Sequence, residues 1–126
     1  MVAPKRILIV DDEDDIREVA QVSLELVGGY EVLTASNGRD GLERARGDQP
    51  DAILLDVMMP EMDGPATLAR LRADPATRDI PVVFLTAKIQ FAERRELGAL
   101  GAAGILTKPF DPLELASDMA TVLHWS

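Results

Sequence analysis

No cysteine occurs in the 126-residue sequence. A disulfide scaffold, a thiolate metal site and a cysteine nucleophile are therefore excluded. Basic residues are scarce: 13 Lys and Arg stand against 22 Asp and Glu, for a net charge of -9. That balance argues against direct binding to a nucleic-acid backbone or an anionic membrane without a strong local basic patch. Arg94-Arg95 is the only adjacent arginine pair, and Glu93 and Glu96 flank it, which is the pattern of a solvated helix face. Long apolar runs are missing too. Met1-Val2-Ala3-Pro4-Lys5-Arg6 leads into a four-residue apolar run, too short for a signal-peptide core or a membrane span. A cytoplasmic location is the expectation. Histidine is almost absent. His124 stands alone beside Trp125, in what reads as a frayed tail whose indole packs on the domain.

What is present is a globular composition, 47% apolar, at a length that forms one domain with a real core. Short apolar runs alternate with helical patterns. Residues 7–10, 31–35, 52–55, 82–85 and 104–107 read as strands. The second is the less hydrophobic and is expected at an edge. Ile16, Val19, Ala20, Ser23, Leu24 and Val27 recur at helical spacing, and Gly28-Gly29 ends that helix. Asn37-Gly38 starts a short helix through Arg46, stopped by Gly47-Asp48-Gln49-Pro50. Gly64-Pro65 opens a third helix and Asp74-Pro75 breaks it. A weaker helix covers about 90–100, loosely ended by Gly98 and Gly101. Asp111-Pro112 opens the last, with Asp as N-cap and Pro at the first position, running to about Leu123. Five βα units without a linker imply a parallel sheet covered by helices on both faces. The expectation is a single α/β domain over residues 1–126 with no room for an output domain.

Four of the five strands end in reactive polar groups. The first runs into Asp11-Asp12, the third into Asp56, the fourth into Thr86 and the fifth into Lys108-Pro109. In an open α/β sheet the carboxyl ends of parallel strands share one edge, where ligands bind. Each residue also has a plain structural use. Asp11 through Asp15 can be anions at a helix N-terminus, Asp56 a turn residue, Thr86 a β-branched strand end and Lys108 a solvated one. Their arrival at one edge favours chemistry instead. Mg²⁺ takes octahedral oxygen ligands, usually one or two carboxylates with phosphate and waters. Three clustered carboxylates repel one another, which favours such a cation or a raised pKa. Asp56 can then act as a carboxylate nucleophile toward phosphorus. The Lys108 ammonium, the Thr86 hydroxyl and a backbone N–H near Ala87 can stabilise the transferring group.

Four segments carry a family resemblance. Ile9-Val10-Asp11-Asp12-Glu13, Leu55-Asp56-Val57-Met58-Met59-Pro60-Glu61-Met62-Asp63-Gly64, Leu85-Thr86-Ala87-Lys88 and Lys108-Pro109-Phe110 stand in order. In them the chain resembles, along its whole length, the receiver domain of bacterial two-component response regulators. The resemblance implies the flavodoxin-like (βα)5 strand order 2-1-3-4-5 and a phosphoryl group accepted on Asp56 from a sensor histidine kinase or phosphotransfer protein. It implies Mg²⁺ (or Mn²⁺) held by Asp12, Asp56 and the Met58 carbonyl, with Asp11 acting through water. Thr86 and Lys108 would contact the phosphoryl oxygens, and the Lys108-Pro109 peptide would be cis. The signal would pass to a downstream protein through the surface of the fourth helix, fifth strand and fifth helix, in a monomer or a phosphorylation-dependent homodimer. One departure stands out. The family commonly has Tyr or Phe two residues into the fifth strand, where this chain has Ile105.

Three other readings compete. A flavin carrier needs a phosphate-cradling loop after the first strand, and Asp11 through Asp15 would repel phosphate. An aspartate-nucleophile phosphatase matches Asp12-Glu13-Asp14 but leaves Asp56 and its tail unexplained. A phosphate-independent interaction module keeping the receiver fold has no need of all five site residues. A calcium loop is excluded, because the acidic run lacks the glycine at its sixth position. Two further side chains bear on lifetime. Met58 has no group to hold a hydrolytic water, and Lys88 can bind a phosphoryl oxygen and cover the site, so slow self-dephosphorylation is expected.

Overall fold

The computed structural model describes residues 3–87 and 90–125, with the side chain of Phe91 left aside. Five strands and five helices alternate: β1 (Arg6–Val10), α1 (Asp14–Leu26), β2 (Glu31–Ala35), α2 (Gly38–Asp48), β3 (Ala52–Asp56), α3 (Gly64–Ala73), β4 (Val82–Thr86), α4 (Phe91–Ala99), β5 (Gly104–Thr107) and α5 (Leu115–Leu123). All strand pairs are parallel, in the order β2-β1-β3-β4-β5. The expected order is therefore met, and β2 lies at an edge.

The alternation of side chains along each strand divides the core in two. Leu8, Val10, Ile53, Leu55, Val82 and Phe84 face one side and meet Ala45 of α2, Leu68 and Leu71 of α3, and Leu97 of α4. Ile7, Ile9, Leu54, Val83 and Leu85 face the other and meet Ala20 and Leu24 of α1, and Leu115, Ala116 and Met119 of α5. The central strands are thus apolar on both faces, which is why they read as continuous runs.

Two helix ends differ from the sequence reading. Helix α2 continues through Gly47 to Asp48, because Gln49 closes it in the left-handed conformation with φ 49°. The Gln49 side-chain amide donates to the carbonyls of Ala45 and Arg46 at the helix end and to that of Ala76 after α3, tying the end of α2 to the neighbouring loop. Helix α5 begins at Leu115, not at Asp111-Pro112. Asp111 does cap locally, accepting the Leu113 N–H at 2.8 Å, but its carbonyl takes both Glu114 N–H and Leu115 N–H, so a tighter turn precedes the helix. The remaining signals act as read. Gly29 ends α1 with φ +70°, and Asp63 caps α3 by accepting Ala66 N–H at 2.9 Å ahead of Pro65.

The tail packs as expected. Trp125 meets the Tyr30 ring edge-on, with centroids 5.6 Å apart, and Lys5 Nζ lies 5.2 Å from the indole centroid. Lys5 and Tyr30 each sit one residue before a strand, so this cluster occupies the amino-terminal edge of the sheet.

Candidate functional site

At the opposite edge the strand register sets the polar residues in a row. Val10 pairs with Leu55, Asp56 with Leu85 and Thr86 with Thr107. Asp11, Asp56, Thr86 and Lys108 therefore leave neighbouring strands at similar heights. Backbone bonds hold each exit. Asp11 N–H donates to the Ala35 carbonyl, Val57 N–H to that of Leu85 and Lys108 N–H to that of Thr86. The Lys108-Pro109 peptide bond is cis. The loop after β3 folds back tightly, with Gly64 N–H on the Val57 carbonyl at 2.9 Å. A Cβ at Gly64 would lie 2.6 Å from the Asp56 carbonyl oxygen, so only glycine permits this approach.

Asp11 and Asp56 are 1% and 2% exposed, and carboxylate oxygens of Asp11, Asp12 and Asp56 lie within 4.8 Å of one another. Lys108 enters from the other side. Its Nζ lies 3.0 Å from Asp11 Oδ2, 3.3 Å from Asp56 Oδ1 and 2.9 Å from Glu13 Oε1. The Asp56 carboxylate also accepts the Met58 N–H at 3.3 Å, and Asp11 Oδ1 accepts the Glu13 N–H at 2.9 Å. Asp11 Oδ2, Asp12 Oδ1 and Asp56 Oδ2 are buried without a hydrogen-bond partner, Asp11 Oδ2 facing Lys108 as an ion pair.

Burial, and then the neighbouring Asp11 charge, push the Asp56 carboxyl up from 3.8 to about 7, against the opposing pull of Lys108. Burial works to lower Lys108, but its close contacts with Glu13 and Asp11 and the charges of Asp11 and Asp56 outweigh it, so the ammonium is held above its ordinary range. One cation thus faces three carboxylates, and three buried carboxylate oxygens of the cluster lack a hydrogen-bond partner. An all-oxygen, anionic donor set of this kind fits a hard divalent cation such as Mg²⁺.

The structure brings together Asp11, Asp12, Asp56 and Lys108. Thr86 is buried at the end of β4, and Ala87 follows it on the wall of a cleft shared with Val57, Met58, Glu93, Glu96 and Leu97. The Met58 side chain is exposed and touches no part of the acidic cluster by hydrogen bond; only its backbone N–H does. Lys88 lies outside the described residues. Two contacts at the site have no counterpart in the sequence reading. Glu13 reaches Lys108, and the Arg17 guanidinium donates to the Asp11 carbonyl at 2.8 Å and to Asp14 Oδ1 at 2.6 Å. Glu13 is 95 residues from Lys108, and no local spacing signals such a pair.

A flavodoxin-like parallel sheet with an acid cluster and a lysine at its carboxyl edge places the chain in a class, the receiver-type signalling domains. The chain belongs to the response regulator receiver domain family, whose model matches residues 7–120. It is similar to the phosphate regulon transcriptional regulatory protein PhoB of Pseudomonas aeruginosa, 43% identical over 120 residues, 95% of this chain and 52% of that protein. The alkaline phosphatase synthesis transcriptional regulatory protein PhoP of Bacillus subtilis is 39% identical over 122 residues, 97% of this chain and 50% of that protein. The chain thus spans about half the length of the curated relatives it matches. Among solved structures, chemotaxis protein CheY4 of Vibrio cholerae superposes with a TM-score of 0.88 at 35% identity, covering 95% of this chain and 99% of that one. The chain is a receiver domain of the two-component response regulator type. Among the described residues no helix is long and apolar enough to cross a membrane.

Proposed function

We propose that this receiver accepts a phosphoryl group on Asp56 from a histidine kinase or phosphotransfer protein, in a Mg²⁺-dependent reaction. The observation that carries the reading is the buried Asp56 carboxylate, with one oxygen unpartnered and the other beside Lys108. An Asp56 oxygen attacks phosphorus, the new O–P bond forms as the P–N bond of a phosphohistidine breaks, and the donor imidazole recovers a proton from solvent. Asp12, Asp56 and the Met58 carbonyl would hold the cation, with Asp11 acting through water. Bound there, Mg²⁺ (or Mn²⁺) would neutralise charge on the carboxylates and the transferring group. Lys108, the Thr86 hydroxyl and the Ala87 N–H would take the phosphoryl oxygens. The switched surface would be that of α4, β5 and α5, acting on a downstream protein.

Support for a docked protein donor comes from an apolar groove beside α1. Val19, Val22 and Leu26 on α1, Val27 at its end and Leu113 after Pro112 are large apolar side chains exposed to solvent, and they line one groove. The groove runs along α1, which starts one residue after Glu13, and is closed on its other side by the loop after β5 that Lys108 begins. A donor seated along this groove would extend from the acidic end of α1 toward its far end.

The test is covalent labelling. With Mg²⁺ and acetyl phosphate the protein should gain one acid-stable, base-labile phosphoryl group. Asp56→Asn should abolish it, because an amide is a poor nucleophile and removes a metal ligand. Full labelling of that variant would move the site elsewhere. Labelling that survives in neither protein would favour a phosphate-independent interaction module.

A further inference from the structure

We propose that Glu13 is a positioning residue, which in the resting protein occupies the Lys108 donor that a phosphoryl oxygen on Asp56 takes over. The proposal rests on Asp56 being the phosphoacceptor. An ammonium has three N–H donors and no acceptor. Around Lys108 Nζ three carboxylate oxygens are in place, Glu13 Oε1 at 2.9 Å, Asp11 Oδ2 at 3.0 Å and Asp56 Oδ1 at 3.3 Å. The Lys108 side chain is only 8% exposed, and its hydrogen bond goes to Glu13, while Asp11 and Asp56 face it as ion pairs. A phosphoryl oxygen that takes up a hydrogen bond from the ammonium competes with these contacts, and first with the one that is already hydrogen-bonded.

Their burial decides which one leaves. Asp11 is 1% exposed and its Oδ1 is held by the Glu13 N–H, so it cannot turn out to water if it lets go. Asp56 carries the incoming group and stays. Glu13 is 59% exposed, so its carboxylate regains water when it lets go.

A second observation separates this contact from ordinary helix capping. Glu13 is the N-cap residue of α1, yet its side chain makes no cap hydrogen bond. Asn37 and Asp63 do cap α2 and α3 with their side chains. The Glu13 N–H is meanwhile fixed on Asp11 Oδ1 at 2.9 Å, which holds the residue beside the cluster. Its carboxylate crosses to Lys108 instead of serving its own helix.

Binding of beryllofluoride, a phosphoryl mimic, in Mg²⁺ and the rate of labelling by acetyl phosphate test this. Glu13→Gln keeps the length and loses the charge. Glu13→Asp keeps the charge and falls one methylene short of Lys108. If Glu13 acts by competing for the ammonium, both variants should bind beryllofluoride about two- to fivefold more tightly and label faster by a similar factor, the range an exposed ion pair provides. In the unsubstituted protein the Glu13 side-chain carboxyl ¹³C resonance should move to its free, solvated position when beryllofluoride binds. Glu13→Asp matching the unsubstituted protein would reduce the effect to bulk charge and overturn the proposal. So would weaker binding in both variants, or a Glu13 resonance that does not move. A protein that neither labels nor binds beryllofluoride overturns the phosphoacceptor reading itself, whereas normal labelling with indifferent variants overturns the role of Glu13 alone.

Discussion

The burial of Asp56 gives a residue-level consequence for stability. Its carboxyl is pushed up from 3.8 to about 7, first by burial and then by Asp11. Between those values the metal-free folded protein holds a proton that the unfolded chain has released. The stabilisation is complete below the unfolded value and is lost as pH rises through the folded one. In chelator, the unfolding free energy relative to Asp56→Asn should therefore fall between pH 4 and pH 8, by on the order of 2–4 kcal/mol. Urea titrations across that range measure it, and a flat difference contradicts the assignment. Mg²⁺ binding at pH 6 should release protons to the buffer, because the ligand form is the carboxylate. Substitution of the other acids separates their roles. Asp12→Ala should weaken Mg²⁺ binding more than Asp11→Ala, if Asp12 is a direct ligand and Asp11 acts through water; calorimetric titration of the three proteins decides it. Met58 offers a test of lifetime. Its side chain projects from the rim into solvent and has no polar group, so Met58→Asn should shorten the phosphoryl lifetime by orienting a hydrolytic water. A longer lifetime would rule that account out.

At the scale of elements, α4 is the loosely held member. Leu97 is its one buried side chain among the described residues, against three in each of α1 and α3. Ile105 on β5 packs into the same cluster as Leu97 and Phe84. It carries no hydroxyl and, being β-branched, has little freedom at χ1. Under the proposed function, movement of the helix would take the place of a ring swinging at this position, since its few anchors make displacement inexpensive. Free and beryllofluoride-bound proteins compared by NMR should show the α4 backbone shifted and the Ile105 rotamer kept; a rotated Ile105 beside a stationary α4 would refute this. The turn into α3 is the rigid counterpart. A methyl group at position 64 would lie 2.6 Å and 2.8 Å from backbone atoms of Asp56 and Val57, neither of which can yield like a side chain. Gly64→Ala should cost about 1–3 kcal/mol in unfolding free energy and slow labelling as well, since the displaced atoms carry Asp56.

For the molecule as a whole, the sequence makes the sheet legible and the helix ends less so. Strands buried on both faces are short apolar runs bounded by polar residues, and their carboxyl ends mark one edge. That is why Asp11, Asp56, Thr86 and Lys108 could be grouped before any coordinates. Helix ends are decided by side-chain bonds that spacing does not show, such as Gln49 reaching back to Ala45 and forward to Ala76. Pairs distant in sequence are hidden for the same reason, and the Glu13–Lys108 contact is one of them. The apolar groove on α1 was hidden in a different way. Val19 and Val27 share the helical repeat of the core-facing residues, yet they remain exposed at its border. If a protein donor docks there, Leu26→Asp should slow transfer from a cognate kinase at least several-fold while labelling by acetyl phosphate and urea stability stay unchanged. Equal loss with both donors would place the defect in the site rather than the groove.

The single indole lies at the far end of the sheet from the acidic cluster. Trp125 is clamped between Tyr30 and Lys5 at the amino-terminal edge, and the five-residue strands set about 17 Å between that edge and the acidic cluster. Its emission should therefore be silent to Mg²⁺ and to phosphorylation, and should respond fully when the tail comes away from Tyr30 on unfolding. The protein thus carries an optical reporter that separates folding from ligation. A fluorescence melt recorded with and without Mg²⁺ would read the cation only through the midpoint, never through the folded baseline.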